Sequence, residues 1–406
     1  MRIQSIEVKN FKSLDDFRLD LAKFTCLIGL NGSGKSTVLQ FIDFLSQLVR
    51  GDMEGWLEER HWKLSELRSK LVPRKFNIEF CVRFVNDDGE PAGRWDATYR
   101  PSENCCTSER LDLRDFLLET TRDEVRIQTL RPKLRSKFKD QTIPLAFSYQ
   151  GSILSALRMD LLPPSILKCK DLIAAIKSLE LLSPTSLRQR TRESSGSLGL
   201  GGQRLASFLH ELGSTKRAQL VSQLKKVYPQ LTRLSAKILR GGWKQIEISE
   251  KYEGGGRVML PPSKGRPVSE PRMTTEARHI NDGMLRLMAI LAELETENQF
   301  LLFDEIENGI NPELVEFVVD KLVHARQQVM VTTHSPMILN YLDDDTARAG
   351  VMYLYKTPRG ATQAIPFFSI PSLAEKLTVM GPGEAFVDTN LTQLADEIAS
   401  LTPEEA

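Results

Sequence analysis

Nine residues, Gly29-Leu30-Asn31-Gly32-Ser33-Gly34-Lys35-Ser36-Thr37, restrict the fold of this chain more than any other stretch. They fit G-x-x-x-x-G-K-[ST], the spacing of a phosphate-binding loop. The apolar run Phe24-Thr25-Cys26-Leu27-Ile28 before it reads as a buried strand, and Val38 to Leu45 after it reads as the helix into which the loop opens. Glycines in such a loop let backbone N–H groups close around phosphate, at a helix N-terminus whose partial positive charge favours anions. On this reading Asn31, Gly32, Ser33, Gly34, Lys35, Ser36 and Thr37 contact ATP. Lys35 reaches the β and γ phosphates, and Ser36 ligates Mg²⁺. The competing reading is a Gly-rich strand-to-helix turn with a surface lysine.

A chain of 406 residues holds one large or two ordinary domains. With 41% hydrophobic and 26% charged residues it has the usage of a soluble globular protein. The formal net charge of +1 gives no global attraction to nucleic acid or membrane, so any such contact needs a local patch. Five cysteines without metal-ligand spacing point to a reducing compartment. Cys105-Cys106 reads as a loop or strand pair rather than a redox site. Met1 to Val8 alternates like a strand and lacks a signal-peptide core, and no apolar run reaches the ~20 residues that span a bilayer. A cytoplasmic protein without a membrane segment is expected.

Along the chain, residues 1–115 read as β-rich. Phe76 to Phe84 alternates at period two, and the Asn86-Asp87-Asp88-Gly89 turn leads to Gly93 to Tyr99, a hairpin or meander. From about 116 to 240 the apolar spacing turns helical, as at Leu172 to Ile176 and Leu205 through Leu224. Ser194 to Gly202 and Gly254 through Pro271 read as flexible loops. The last third alternates strands (Phe300 to Phe303, Val329 to Thr332, Val351 to Tyr355) with helices such as Pro312 to His324. Such alternation implies parallel strands with ligands at their C-terminal ends. The expected organisation is an α/β core from 1–115 and 275–406, with 116–274 inserted as a helical lobe.

Phe300-Leu301-Leu302-Phe303-Asp304-Glu305 is a buried-strand pattern ending in two acids, about 270 residues after the loop. Asp304 is placed to hold Mg²⁺ and Glu305 to polarise an attacking water. Alone, such a pair also reads as a helix N-cap with a solvated neighbour. The segment Val329 to Pro336 carries the next strand, which ends in His334, and that histidine can position the nucleophilic water. A lone histidine is otherwise a surface or satisfied core residue.

Asn10-Phe11-Lys12-Ser13, the phosphate loop, Asp304-Glu305 and Thr333-His334-Ser335-Pro336 together resemble the ABC-type ATPase heads of the SMC/RecF-like superfamily. More narrowly, they resemble stand-alone bacterial AAA-family ATPases of anti-phage defence systems that carry a D-E-P-E-x-G-[IL]-H-P box. Here the box reads Asp304-Glu305-Ile306-Glu307-Asn308-Gly309-Ile310-Asn311-Pro312, with Ile306 and Asn311 in place of Pro and His. The resemblance covers roughly 1–50 and 275–400. It implies an ABC-type P-loop head with a β-rich N-terminal subdomain, and ATP hydrolysis by Glu305, His334 and Lys35. It also implies a signature motif that contacts ATP bound by a partner subunit. Asn281-Asp282-Gly283 has the right place: Asn281 would cap a helix, and Gly283 would let the backbone approach phosphate. An ordinary N-cap and turn is the alternative. A glutamine that joins Ser36 and Asp304 at the metal is implied as well. Gln150, after Pro144 to Tyr149, is the candidate, against an unremarkable strand-end glutamine. A composite site makes ATP the glue of a homodimer or higher homo-oligomer.

The loop does not name the job. No heptad run separates the two halves, which argues against long coiled-coil arms. About 36 residues follow position 370, too few for the fused nuclease of the overcoming-lysogenisation relatives. The resemblance thus implies a sensor ATPase of an anti-phage, toxin–antitoxin-like system that controls a separately encoded effector, a nuclease. The alternative is a RecF/SMC-like DNA repair or maintenance ATPase. Two basic runs bear on it: Arg122, Arg126, Arg131, Lys133, Arg135, Lys137 and Lys139, then Lys216, Arg217, Lys225, Lys226, Arg233, Lys237 and Arg240. They read as a solvated helix face or as a DNA- or partner-facing lobe. The tail Leu377 to Phe386 resembles the C-termini of the same ATPases, and its residues suggest a Gly/Pro turn and a partner contact.

Overall fold

A computed structural model describes residues 1–131, 138–180, 182–193, 196–251, 273–390, 394 and 397–398. The expected loop at Gly254 through Pro271, residues 194 and 195 of the other expected loop, and Lys133, Arg135 and Lys137 lie outside the described residues. The chain divides into two compact units. One comprises 1–178, 298–306 and 322–406, and the other 179–297 and 307–321.

The first unit opens with β1 (Arg2–Lys9), β2 (Phe17–Asp20) and β3 (Phe24–Ile28). After the helix Lys35–Arg50 come β4 (Ile78–Val85), β5 (Pro91–Arg100), β6 (Cys105–Leu113), β7 (Phe116–Thr120), β8 (Glu124–Thr129) and β9 (Gln141–Pro144). With β1 and β2 these form an eight-stranded antiparallel sheet in the order β2-β1-β4-β5-β6-β7-β8-β9. The expected β4–β5 hairpin is present. The helical reading of 116–144 is not: β7, β8 and β9 extend the same sheet. Phe116-Leu117-Leu118-Glu119-Thr120 has leucines and charges that suit either state, and the open edge of β6 decides it by pairing Leu111 with Leu118.

After β10 (Ile176–Leu179) the second unit carries the helices Leu205–Glu211 and Gly213–Leu224, as the apolar spacing predicts. It adds a three-stranded antiparallel sheet of β11 (Leu231–Ile238), β12 (Lys244–Glu250) and β13 (Met273–Glu276). The lobe is therefore mixed rather than helical.

The remaining strands are β14 (Phe300–Phe303), β15 (Gln328–Thr332), β16 (Val351–Lys356) and β17 (Thr362–Pro366). They complete a six-stranded sheet in the order β10-β14-β15-β3-β16-β17. β14, β15, β3 and β16 run parallel, while β17 returns antiparallel. Every residue of β3, β14 and β15 is buried, which explains their continuous apolar runs: a parallel sheet is covered on both faces.

The helix Lys35–Arg50 is buried along most of its length. Its Phe41 and Phe44 pack edge-on or tilted against Phe11 and Phe80, and Phe44 meets Tyr99 edge-on. The same core cluster takes in Leu302, Met330 and Leu354 of the parallel sheet. Packed against both sheets, the helix fixes the loop at its N-terminus to the C-terminal ends of the parallel strands.

Candidate nucleotide site

The loop leaves β3 through Gly29 (φ 146°), turns at Gly32 (φ 77°) and enters its helix through Gly34 (φ 108°). All three torsions lie where a side chain is strained. Gly29 and Gly34 are also crowded: a Cβ on Gly29 would collide with Leu354 O, and one on Gly34 with the Thr362 side chain. The glycine spacing thus answers the packing of the loop on β16 and β17 as well as the approach of an anion. Lys35 is buried and folds over the loop, donating to Gly29 O at 2.9 Å and Leu30 O at 3.2 Å. Ser36 is exposed at the helix start.

β14 and β15 deliver the acids and the histidine. Their register pairs Phe303 with Val331, and Val331 pairs in turn with Cys26 of β3. Beyond the strand ends Thr333 N–H donates to Leu27 O at 3.1 Å. Continued, this register sets His334 level with Gly29, on the strand between the acid pair and the loop. His334 is exposed. Ser36 Oγ donates to Asp304 Oδ2 at 2.9 Å. Thr332 Oγ1 donates to the other carboxylate oxygen, Asp304 Oδ1, at 2.5 Å and accepts from Glu305 N–H at 2.8 Å. Glu305 takes φ 47°, uncommon for a residue with a side chain, and that backbone bond to Thr332 holds it there. The Ser36 hydroxyl and the Asp304 carboxylate are hard oxygen donors within hydrogen-bond reach. That set suits Mg²⁺, which keeps several waters and takes one or two protein ligands.

Gln150 does not join them. Its side chain donates to Glu54 Oε1 at 2.7 Å, and its neighbour Ser152 N–H donates to Leu48 O at 2.7 Å. Leu48 lies near the C-terminal end of the loop helix, roughly 18 Å along the axis from Ser36 at 1.5 Å per residue. Gln150 is corrected from the metal position to a contact at the far end of that helix.

In the second unit, Asn281 caps the helix Asp282–Leu294 as expected, its Oδ1 accepting from Met284 N–H at 2.7 Å. Asp282 pairs with Arg188, whose guanidinium also donates to Ile280 O at 2.7 Å. Gly283 is buried, and a Cβ there would sit 3.4 Å from Gly309 O. Arg286, one turn on, donates to Asn308 O. The start of this helix is thereby tied to the segment that follows the acid pair. Of the basic runs, Arg126 pairs with Glu124, Arg131 with Asp115, Lys216 with Glu297 and Lys237 with Glu247.

Sequence reasoning missed Thr332, the hydroxyl that connects Asp304 to Glu305. Its only signal was its place as the last residue of a buried strand next to the acid pair's strand. It also missed Thr362 and Lys356 behind the loop, and the place there of Ser13, which it named only for the resemblance.

Residues 1–144 match a family model described as an AAA ATPase domain, and residues 176–340 match a second, "AAA domain, putative AbiEii toxin, Type IV TA system". The DNA repair protein RecN of Synechocystis sp. is 30% identical over 104 residues, which are 24% of this chain and 18% of RecN. The OLD nuclease of Thermus scotoductus is 38% identical over 89 residues, 20% of this chain and 14% of the nuclease. The matches thus span less than a fifth of either relative. A crystal structure of an SMC head bound to the C-winged helix domain of ScpA superposes with a TM-score of 0.54 at 18% identity, over 90% of this chain and 98% of that one. The fold is that of an SMC-head, ABC-type P-loop ATPase, and the two matched segments are each similar to an AAA-domain model. No helix among the described residues is long and apolar enough to cross a membrane.

Proposed function

We propose that this chain is a cytoplasmic ABC-type ATPase that binds ATP on the loop Asn31 to Thr37 and hydrolyses it to ADP and phosphate. The observation that carries the reading is the hydrogen-bonded chain Ser36–Asp304–Thr332–Glu305, which links loop and acid pair across the ends of the parallel strands β3, β15 and β14. Ser36 and Asp304 would hold Mg²⁺, which when bound neutralises charge on the phosphate oxygens. Lys35 leaves its two loop carbonyls for the β and γ phosphates. Glu305 accepts a proton from the attacking water, and His334 orients that water by a hydrogen bond. Replacing Glu305 by Gln keeps the shape and removes the base, so ATP turnover falls by roughly 10²-fold or more while ATP binding persists. Unchanged turnover would remove Glu305 from this role.

The capped start of the helix Asp282–Leu294 supports a composite site in which Asn281, Asp282 and Gly283 contact ATP held by a second copy. E305Q protein that stays monomeric with ATP and Mg²⁺, by light scattering, would exclude that. The match of residues 176–340 to a toxin–antitoxin family model supports a sensor ATPase of an anti-phage system acting on a separate nuclease effector. Co-purification with the product of the adjacent gene, and phage plating with and without this chain, test it.

Similarity to RecN and to an SMC head supports a second reading, a DNA-binding repair or maintenance ATPase. Duplex DNA would then stimulate turnover, with affinity falling steeply between 50 and 200 mM salt as on the order of six or more phosphate contacts require.

A further inference from the structure

Behind the phosphate loop lies a hydroxyl that the proposed chemistry does not use. Thr362, the first residue of β17, is fully buried. Its Oγ1 donates to the carbonyl of Ser33, inside the loop, at 2.9 Å. A hydroxyl has one proton, so its two remaining contacts are acceptances. They come from Lys356 Nζ at 2.9 Å and Ser13 Oγ at 2.8 Å. Its backbone N–H donates to Ser13 O at 2.8 Å. The hydroxyl and the backbone N–H of Thr362 are thus both engaged, and the side chain occupies the space a Cβ on Gly34 would need. At the other end of the loop Leu354 O blocks a side chain on Gly29. The β16–β17 hairpin therefore backs the loop at both ends.

We infer that Thr362 is a positioning residue for the triphosphate: by holding the Ser33 carbonyl outward, it keeps the N–H groups of the loop turned towards the phosphates. The inference rests on the ATPase reading for its substrate, but the loop shape can be measured without it. A side chain that fixes loop geometry acts on ground and transition states alike, so its loss raises KM and leaves kcat nearly unchanged.

The full chain is compared as wild type, Thr362→Val, Thr362→Ala and Thr362→Ser. Calorimetric titration of ATP with Mg²⁺ gives affinity, steady-state turnover gives KM and kcat, and amide hydrogen exchange over Gly32 to Lys35 without nucleotide reports the loop itself. Thr362→Val should weaken ATP binding roughly tenfold, the effect of leaving one buried acceptor unpaired. KM should rise in proportion, kcat should stay within about twofold, and loop exchange should quicken. Thr362→Ser should restore all of these. Thr362→Ala carries the same expectation should valine prevent folding. Wild-type affinity in a folded Thr362→Val or Thr362→Ala protein, or a loss that serine does not rescue, overturns the inference. A wild type that binds no ATP ends the ATPase reading, and loop exchange then still decides whether Thr362 sets the loop.

Discussion

Ser36 Oγ donates to Asp304 Oδ2 at 2.9 Å across 268 positions of sequence, and this one bond joins the loop to the acid pair. Removing either end has an asymmetric result. Ser36→Ala leaves Asp304 with Thr332 and removes one of the two oxygen donors proposed for Mg²⁺. Asp304→Asn removes the only formal charge of the pair and presents an NH₂ group to Ser36 or Thr332. Turnover should fall in both, by roughly 10-fold for Ser36→Ala and 10²-fold or more for Asp304→Asn. Raised Mg²⁺ should partly restore Ser36→Ala only. Magnesium titrations of steady-state turnover check the ordering.

Thr332→Val tests the link between the two acids. The swap keeps shape but leaves Asp304 Oδ1 and the Glu305 N–H each without this partner. An unsatisfied buried group costs about 1–3 kcal/mol, so the unfolding free energy from urea titration should drop by that order. Glu305, held at φ 47° through this bond, should lose its orientation, with turnover falling more than ATP affinity. Thr332→Ser should recover both. A valine variant with wild-type turnover would show that the hydroxyl does not position Glu305.

How far the sequence foretold these residues depends on whether backbone or tertiary chemistry sets them. The turn from strand through loop to helix was legible because a backbone at φ 146°, 77° and 108° demands glycines at those positions. The acid pair and His334 were legible because buried parallel strands read as apolar runs whose ends are known. Gln150 was misplaced because nothing local tells at which level along the loop helix the chain returns. That level is set by Gly151, whose N–H and C=O bond Asn104 O and Cys106 N–H beside β6. Strands β7 to β9 were hidden because their residues suit helix and strand equally and an open sheet edge chose between them. Thr362 carried no signal at all, since its partner Ser33 is 329 positions away.

The C-terminal segment has a packing role that its Gly/Pro character alone did not reveal. Gly383, in the helix Pro382–Val387, lies so close to the helix Pro336–Asn340 that a Cβ would collide with Pro336 O and the Asn340 side chain. Pro336 is two residues from His334. Gly383→Ala should push the two helices apart, at about 1–3 kcal/mol as for other overpacked sites. The shift should reach the histidine loop, lowering kcat several-fold while ATP affinity stays within about twofold. Thermal unfolding with parallel binding and turnover measurements separates the two effects. Equal losses of affinity and kcat would contradict a path through His334.

Glu109 sets a pH dependence away from the site. It sits on β6, buried, and accepts from Ser152 Oγ at 2.5 Å, Ile153 N–H at 2.6 Å and Trp95 Nε1–H at 3.2 Å. Burial pushes its carboxyl up from 4.5 to about 7, against the pull of those three donors. Between these values the folded chain keeps a proton that the unfolded chain has released, so ν_U − ν_N is negative and stability falls as pH rises. The contribution is full below pH 4.5, declines by up to about 1.4 kcal/mol per pH unit, and levels off above pH 7. Glu109→Gln cannot ionise and should lose this slope. Its amide must still set an NH₂ group against one of the donors, which costs about 1–3 kcal/mol at low pH. The difference in urea unfolding free energy between wild type and Glu109→Gln should therefore shrink from pH 5 to pH 8. A difference that is constant over that range would mean that Glu109 is already ionised in the folded chain at pH 5.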